Sequence, residues 1–169
     1  MVSEAARVYV GLGSNLGDRL ATLRSAVVGL GALAGTVVVG CSPVFETRPL
    51  GPSELPYLNA AVALDTGLAP EDLLAGMQAV ELAHGRTRRT RWEARTLDLD
   101  VLVWPGVERA SESLKLPHPE LRGRDFVLAP LAALAPELRP HGEATVAEML
   151  AGLAAAERTI LRQLPDLLC

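Results

Sequence analysis

Residues Thr96 to Trp104 read TLDLDVLVW, and the alternation of Asp98 and Asp100 with Leu97, Leu99 and Val101 restricts this stretch to a strand with one polar and one buried face. Two carboxylates side by side on a strand repel each other unless a positive group sits between them. Mg²⁺ is the usual occupant where phosphates are handled. Just upstream, Arg86 to Arg95 carries five arginines and Trp92. A guanidinium meets phosphate oxygens in a bidentate fork, so the two halves together read as a polyphosphate and metal site. The plain alternative is a solvated basic turn followed by an edge strand. The abrupt reversal of sign within so few residues argues against it.

A chain of 169 residues is expected to form a single domain, 1–169, with one sizeable core. Apolar residues make up 49% of it and aromatics only 4%, so that core must be built from Leu, Val and Ala. A net charge of -4 argues against a general nucleic-acid binder. Cys41 and Cys169 lie far apart and match no metal spacing, which leads to the expectation of reduced thiols in the cytoplasm. Glu4 and Arg7 flank a short apolar strand, without the pattern of a signal peptide. The uncharged stretch Ser25 to Ser42 is nearly long enough to span a bilayer, but four glycines and the β-branched run Thr36–Val39 make helix, turn and strand the better reading.

Along the chain, Val8 to Gly11 reads as a strand and GLGSNLGD as a loop. Leu20, Leu23, Val27 and Leu30 then mark a helix capped by Asp18 and ending near Leu33 to Gly35. A strand from Thr36 to about Thr47, a proline-rich loop from Arg48 to Pro56 and a strand from Leu58 to Leu64 follow. Pro70, Glu71 and Asp72 open a second helix that reaches about His84, ahead of the arginine stretch and the aspartate strand. The order β-α-β-β-α-β is that of a ferredoxin-like split βαβ within an α+β class. Beyond Pro105, a hairpin, the stretch LPHPELRGRDFVLAPL and a helix of about Thr145 to Glu157 read as C-terminal additions. Gly11, Gly13 and Gly17 have the spacing GxGxxxG, not that of a dinucleotide fingerprint, and read as a tight turn.

Four ordered segments, GLGSNLGDR, SPVFETRPLGP with YLNAAV, RWEARTLDLDVL and LPHPELRGRDFVLAPL, closely resemble the 6-hydroxymethyl-7,8-dihydropterin pyrophosphokinases of folate biosynthesis. That resemblance implies a ferredoxin-like, three-layer α/β/α fold and transfer of the β,γ-pyrophosphoryl group of ATP to the pterin hydroxymethyl group, releasing AMP. It implies that Asp98 and Asp100 hold two Mg²⁺ ions. Arg88 and Arg91 would act in catalysis and, with Arg86 and Arg95, close over the triphosphate. Gln78, Glu81, Val101, His118 and Arg124 would line the ATP site. Thr47, Arg48, Leu50, Tyr57 and Asn59 match pterin-pocket positions, and Trp92 and Phe126 would stack on the flat ring. The family turn usually written WGPRT is here Trp92–Thr96, with Glu93 and Ala94 replacing its glycine and proline.

Taken singly, Tyr57 and Phe126 read as core aromatics, Asn59 as satisfying a neighbouring backbone group, and His118 as a rigid turn residue. His84 and His141 have no partner suggested by the sequence and read as surface. A different class of protein, a ferredoxin-like module binding RNA through the basic stretch and Trp92, would show salt-dependent binding and no need of the aspartates. A Mg²⁺-dependent transferase with another acceptor is a third reading, opposed by the pterin-like residues. The expected partners are ATP and the pterin, with neither nucleic acid nor membrane, and the expected state is a monomer.

Overall fold

Among the described residues, eight strands, four α-helices and two single 3-10 turns make up the regular structure. In the computed structural model, residues 4–49, 54–85 and 96–169 are described. Strand β1 (Ala6–Ser14) leads to helix α1 (Arg19–Gly31), whose first turn is capped by Asp18 accepting from the Ala21 amide. Strands β2 (Thr36–Cys41) and β3 (Phe45–Thr47) precede β4 (Tyr57–Thr66). Helix α2 (Pro70–Ala83), with proline and two acids in its first turn, leads to β5 (Asp98–Val103). The chain ends with the hairpin β6 (Arg109–Ala110) and β7 (Lys115–Leu116), helices α3 (Asp125–Leu134) and α4 (Val146–Ala151), and strand β8 (Ile160–Gln163). No helix among the described residues is long and apolar enough to cross a membrane.

The main sheet runs β5-β1-β4-β3-β8, with β2 also paired to β4, and every pairing is antiparallel. Alternation along the strands divides the apolar side chains between two cores. Val8, Val10 and Leu12 of β1 and Leu99 and Val101 of β5 pack with Leu97 and with Leu23 and Leu30 of α1 and Leu73 and Met77 of α2. The neighbouring positions, Tyr9, Ala61, Ala63, Leu102 and Val103, form the second core with Leu128 and Leu131 of α3 and Val146 of α4. Strand β4 is buried along nearly all its length because both cores press on it.

The strand expected from Thr36 to Thr47 is two strands. Pro43 cannot donate to the ladder, and the Ser42 hydroxyl takes over by accepting from the Ala61 amide at 2.8 Å. Strand β1 is longer than expected and runs through Gly11 and Gly13, which therefore form no turn. Gly17 does, with φ +73°. The helix expected to end at Glu157 stops at Ala151, and a separate single turn covers Ala155–Glu157. Its start was legible: Thr145 and Glu148 form a reciprocal capping box.

Two expectations are overturned. Cys41 and Cys169 are not free thiols but form a disulfide, with Cα atoms 6.1 Å apart. Folding returns the C-terminus beside β2, which a separation of 128 residues in sequence conceals. His84 does have partners: its Nδ1 lies 2.8 Å from the Val80 carbonyl and its Nε2 2.9 Å from the Ser25 hydroxyl, joining α2 to α1.

Candidate functional site

The face of the sheet that carries the second core is covered by α3 only in part. Toward one end, side chains that alternate with the first core emerge into a cavity open to solvent. Its floor owes its depth to Gly11 and Gly13. A Cβ on Gly11 would lie 3.2 Å from Leu102, and one on Gly13 only 2.9 Å from Asn59 Oδ1. These glycines are the site residues that the sequence reading missed. Their signal is a Gly-x-Gly spacing inside a strand, which empties one face at two successive positions.

On the β5 side, Asp98 and Asp100 project into this cavity together with Leu102, while Leu97, Leu99 and Val101 are buried opposite. The alternation read from the sequence is thus realised. Among the described residues no cluster of three or more potential ligands occurs. A pair of carboxylates on an open face is a donor set that suits Mg²⁺ shared with substrate phosphates, not a closed protein cage. Glu81 does not face the cavity; it is 3% exposed and accepts from the Leu99 amide at 3.0 Å, holding β5 from behind. Val101 belongs to the first core, and Gln78 lies on α2 away from the cavity lining.

His118 reaches the same cavity from the segment after β7. Its amide donates to the Leu102 carbonyl at 2.8 Å, and its Nδ1 accepts from the Glu120 amide at 3.2 Å. The ring proton is therefore on Nε2, which lies 4.0 Å from Asp100 Oδ1. Burial, and then the Arg124 guanidinium, lower the His118 pKa below 6.5 against the opposing pull of Glu120 and Asp98. The ring is neutral at neutral pH. Arg124 pairs with Glu120 and sits 5.5 Å from the centre of the Phe126 ring.

The far wall comes from β3 and β4. Asn59 donates from Nδ2 to Thr47 Oγ1 at 2.8 Å, across a register in which Phe45 faces Asn59 and Thr47 faces Tyr57. Arg48 extends from this wall, its amide donating to the Thr159 carbonyl and its Nη2 to the Arg158 carbonyl at 2.6 Å. Thus Thr47, Arg48, Tyr57 and Asn59, expected on one substrate, share one cavity with Asp98, Asp100, His118, Arg124 and Phe126. Leu50, Arg86, Arg88, Arg91, Trp92 and Arg95 lie outside the described residues.

Paired carboxylates beside a concave face with apolar and hydrogen-bonding walls are the equipment of a small-molecule phosphotransferase of the α+β class. More particularly, the chain belongs to the 7,8-dihydro-6-hydroxymethylpterin-pyrophosphokinase family, whose model matches residues 9–136. It is 48% identical over 148 residues to the 2-amino-4-hydroxy-6-hydroxymethyldihydropteridine pyrophosphokinase of Methylorubrum extorquens, covering 87% of this chain and 93% of that one. With the enzyme of the same name from Pseudomonas aeruginosa it shares 45% over 146 residues, covering 86% and 90%. The HPPK-DHPS of Plasmodium falciparum with pterin and p-hydroxybenzoate has a similar fold, with a TM-score of 0.68 at 13% identity. That match covers 89% of this chain but 42% of the larger protein.

Proposed function

We propose that this protein transfers the pyrophosphoryl group of ATP to 6-hydroxymethyl-7,8-dihydropterin, giving the pterin diphosphate and AMP for folate biosynthesis. The observation that carries the reading is the convergence of Asp98 and Asp100 with the Asn59–Thr47 pair in one cavity. One wall suits phosphates, the other a flat heterocycle rich in donors and acceptors. Residues 1–169 act as one catalytic domain, as a monomer, on a fold of ferredoxin-like type with helices on both faces of the sheet.

In this reading Asp98 and Asp100 hold two Mg²⁺ ions jointly with the triphosphate. Bound there, the ions would neutralise phosphate oxygens and lower the pKa of the attacking hydroxyl. The remaining work is alignment and charge neutralisation by the chain itself. Neutral His118 presents Nε2–H toward Asp100, and Arg124 adds positive charge beside the phosphate path. Asn59, Thr47 and the Arg48 backbone orient the pterin, and Phe126 stacks on it together with Trp92. Arg86, Arg88, Arg91 and Arg95 contribute guanidinium groups to the triphosphate and Leu50 lies on the pterin side, while Glu81 and Val101 act from behind the site by holding β5 in place. Use of ATP fits a cytoplasmic setting, in which the Cys41–Cys169 bond would be an exception to the usual reduced state, without nucleic-acid or membrane partners.

The test is AMP release from ATP and Mg²⁺ with and without the pterin. Strictly pterin-dependent AMP supports the reading, and ATP turnover indifferent to pterin overturns the acceptor. Asp98→Ala and Asp100→Ala are each expected to lower turnover on the order of 10² or more, as for loss of a strong electrostatic stabiliser. Near-normal activity in both variants would remove the metal assignment.

A further inference from the structure

Asp125 lies between Arg124 and Phe126, yet its carboxylate points away from both toward the C-terminal strand. It is 2% exposed and begins α3 without capping it. Instead Oδ2 accepts from the Thr159 amide at 2.6 Å and the Ile160 amide at 3.0 Å, and Oδ1 accepts from the Thr159 hydroxyl at 2.5 Å. A buried carboxylate is costly unless such donors surround it. Here all of these donors come from one dipeptide.

That dipeptide is joined directly to the opposite wall of the cavity. The Thr159 carbonyl accepts from the Arg48 amide at 2.9 Å, and Ile160 pairs with Thr47 in the β3–β8 ladder. We infer that Asp125 is a positioning residue: through Thr159 it fixes the spacing between the α3 wall, with Arg124 and Phe126, and the β3 wall, with Thr47 and Arg48. It touches no substrate itself. The inference rests on the pterin-pocket reading for its consequence, since the spacing between these walls sets the width available to a flat ring. Asp98 and Asp100 stand on β5, outside this linkage, so the phosphate half of the site loses only the exact placement of Arg124 when the clamp is loosened and is affected less than the pterin half.

The experiment compares Asp125→Ala, Asp125→Asn and Thr159→Ala with the wild type, measuring the Kd values of 6-hydroxymethyl-7,8-dihydropterin and of ATP with Mg²⁺, and amide hydrogen exchange without substrate. Asp125→Ala leaves three buried donors without an acceptor, and pterin Kd is expected to rise about tenfold while ATP Kd changes less than about twofold. Asparagine keeps an oxygen for the two amides and can donate to a rotated Thr159 hydroxyl. It is expected to restore pterin affinity to within about threefold of wild type. Exchange at the Arg48 amide should speed up in Asp125→Ala and return toward normal in Asp125→Asn. Should Asp125→Ala fail to fold, Thr159→Ala, which deletes just the hydroxyl donor, still reads the effect as about a two- to threefold rise in pterin Kd. Unchanged pterin affinity and Arg48 exchange in the folded variants, or equal losses for pterin and ATP without rescue by asparagine, would overturn the inference. A wild type that binds no pterin defeats the proposed function instead, and Arg48 exchange still decides the clamp.

Discussion

The Asn59 amide donates to the Thr47 hydroxyl across adjacent strands at 2.8 Å, and this bond orients both side chains toward the cavity. In this bond the Thr47 hydroxyl acts as acceptor and keeps its own proton to donate elsewhere, and Asn59 Oδ1 faces the space that Gly13 leaves empty. Asn59→Ala is expected to weaken pterin binding by about tenfold, the scale of a lost hydrogen bond with an unpaired partner. The ATP Kd should stay near the wild-type value. Isothermal titration with each ligand separates the two.

Gly13 is required by space, not by backbone conformation. Its added Cβ would meet Asn59 Oδ1 at 2.9 Å and Tyr57 at 3.6 Å. Gly13→Ala should destabilise the fold by about 1–3 kcal/mol through overpacking, although alanine ordinarily suits a strand better than glycine. Pterin affinity should fall with it. A variant at least as stable as wild type in urea unfolding would contradict this packing.

Glu46 accepts from Arg19 at 2.9 Å and from Arg162 at 3.3 Å. Burial by itself raises its pKa, but the hydrogen bonds from the two arginines outweigh burial and hold it below the ordinary 4.5. A carboxylate with a depressed folded-state pKa contributes stability that is fully present above its unfolded value and is lost as pH falls through the folded one. The Tm difference between wild type and Glu46→Gln should therefore be widest above about pH 5 and narrow as acid protonates the pair. A gap constant across that range would show that the ion pairs contribute nothing.

The Cys41–Cys169 bond closes a span of 128 residues and holds the last residue of the chain against β2. Constraint of so long a loop in the unfolded chain is worth about 2–4 kcal/mol. Reductant, or Cys169→Ser, should lower Tm by about 5–15 °C in a chain of this size. Calorimetry with and without reductant tests it: the serine variant should show no response to reductant. Equal Tm values for the oxidised and reduced wild type would mean that Arg24, which bonds the Leu167 carbonyl at 2.7 Å, and buried Leu168 already hold the tail.

The period-2 pattern of β5 was legible because a strand must send successive side chains to opposite faces, whatever surrounds it. Asp18, the Thr145–Glu148 box and the Pro70 start were legible for a similar reason: capping is settled within one turn of chain. The division of Thr36–Thr47 was not, because β-branched propensity continues across Pro43 and only pairing with β4 exposes the break. Gly11 and Gly13 were read as a turn because glycine permits both turns and empty strand faces, and only the close approach of Asn59 and Leu102 distinguishes them.

The sequence by itself therefore determined β1, α1, β4, α2, β5 and the start of α4, the polar face of β5 and the residue types needed for phosphate and heterocycle. Those properties depend on neighbours within a few positions. Tertiary structure alone decided that Asn59 would engage Thr47, that Glu81 would support β5 from behind, that Cys169 would reach Cys41, and that Asp125 would tie α3 to β8. Each of these joins residues distant along the chain, and such meetings follow from how the sheet is ordered and how two cores divide its faces, which no local pattern encodes.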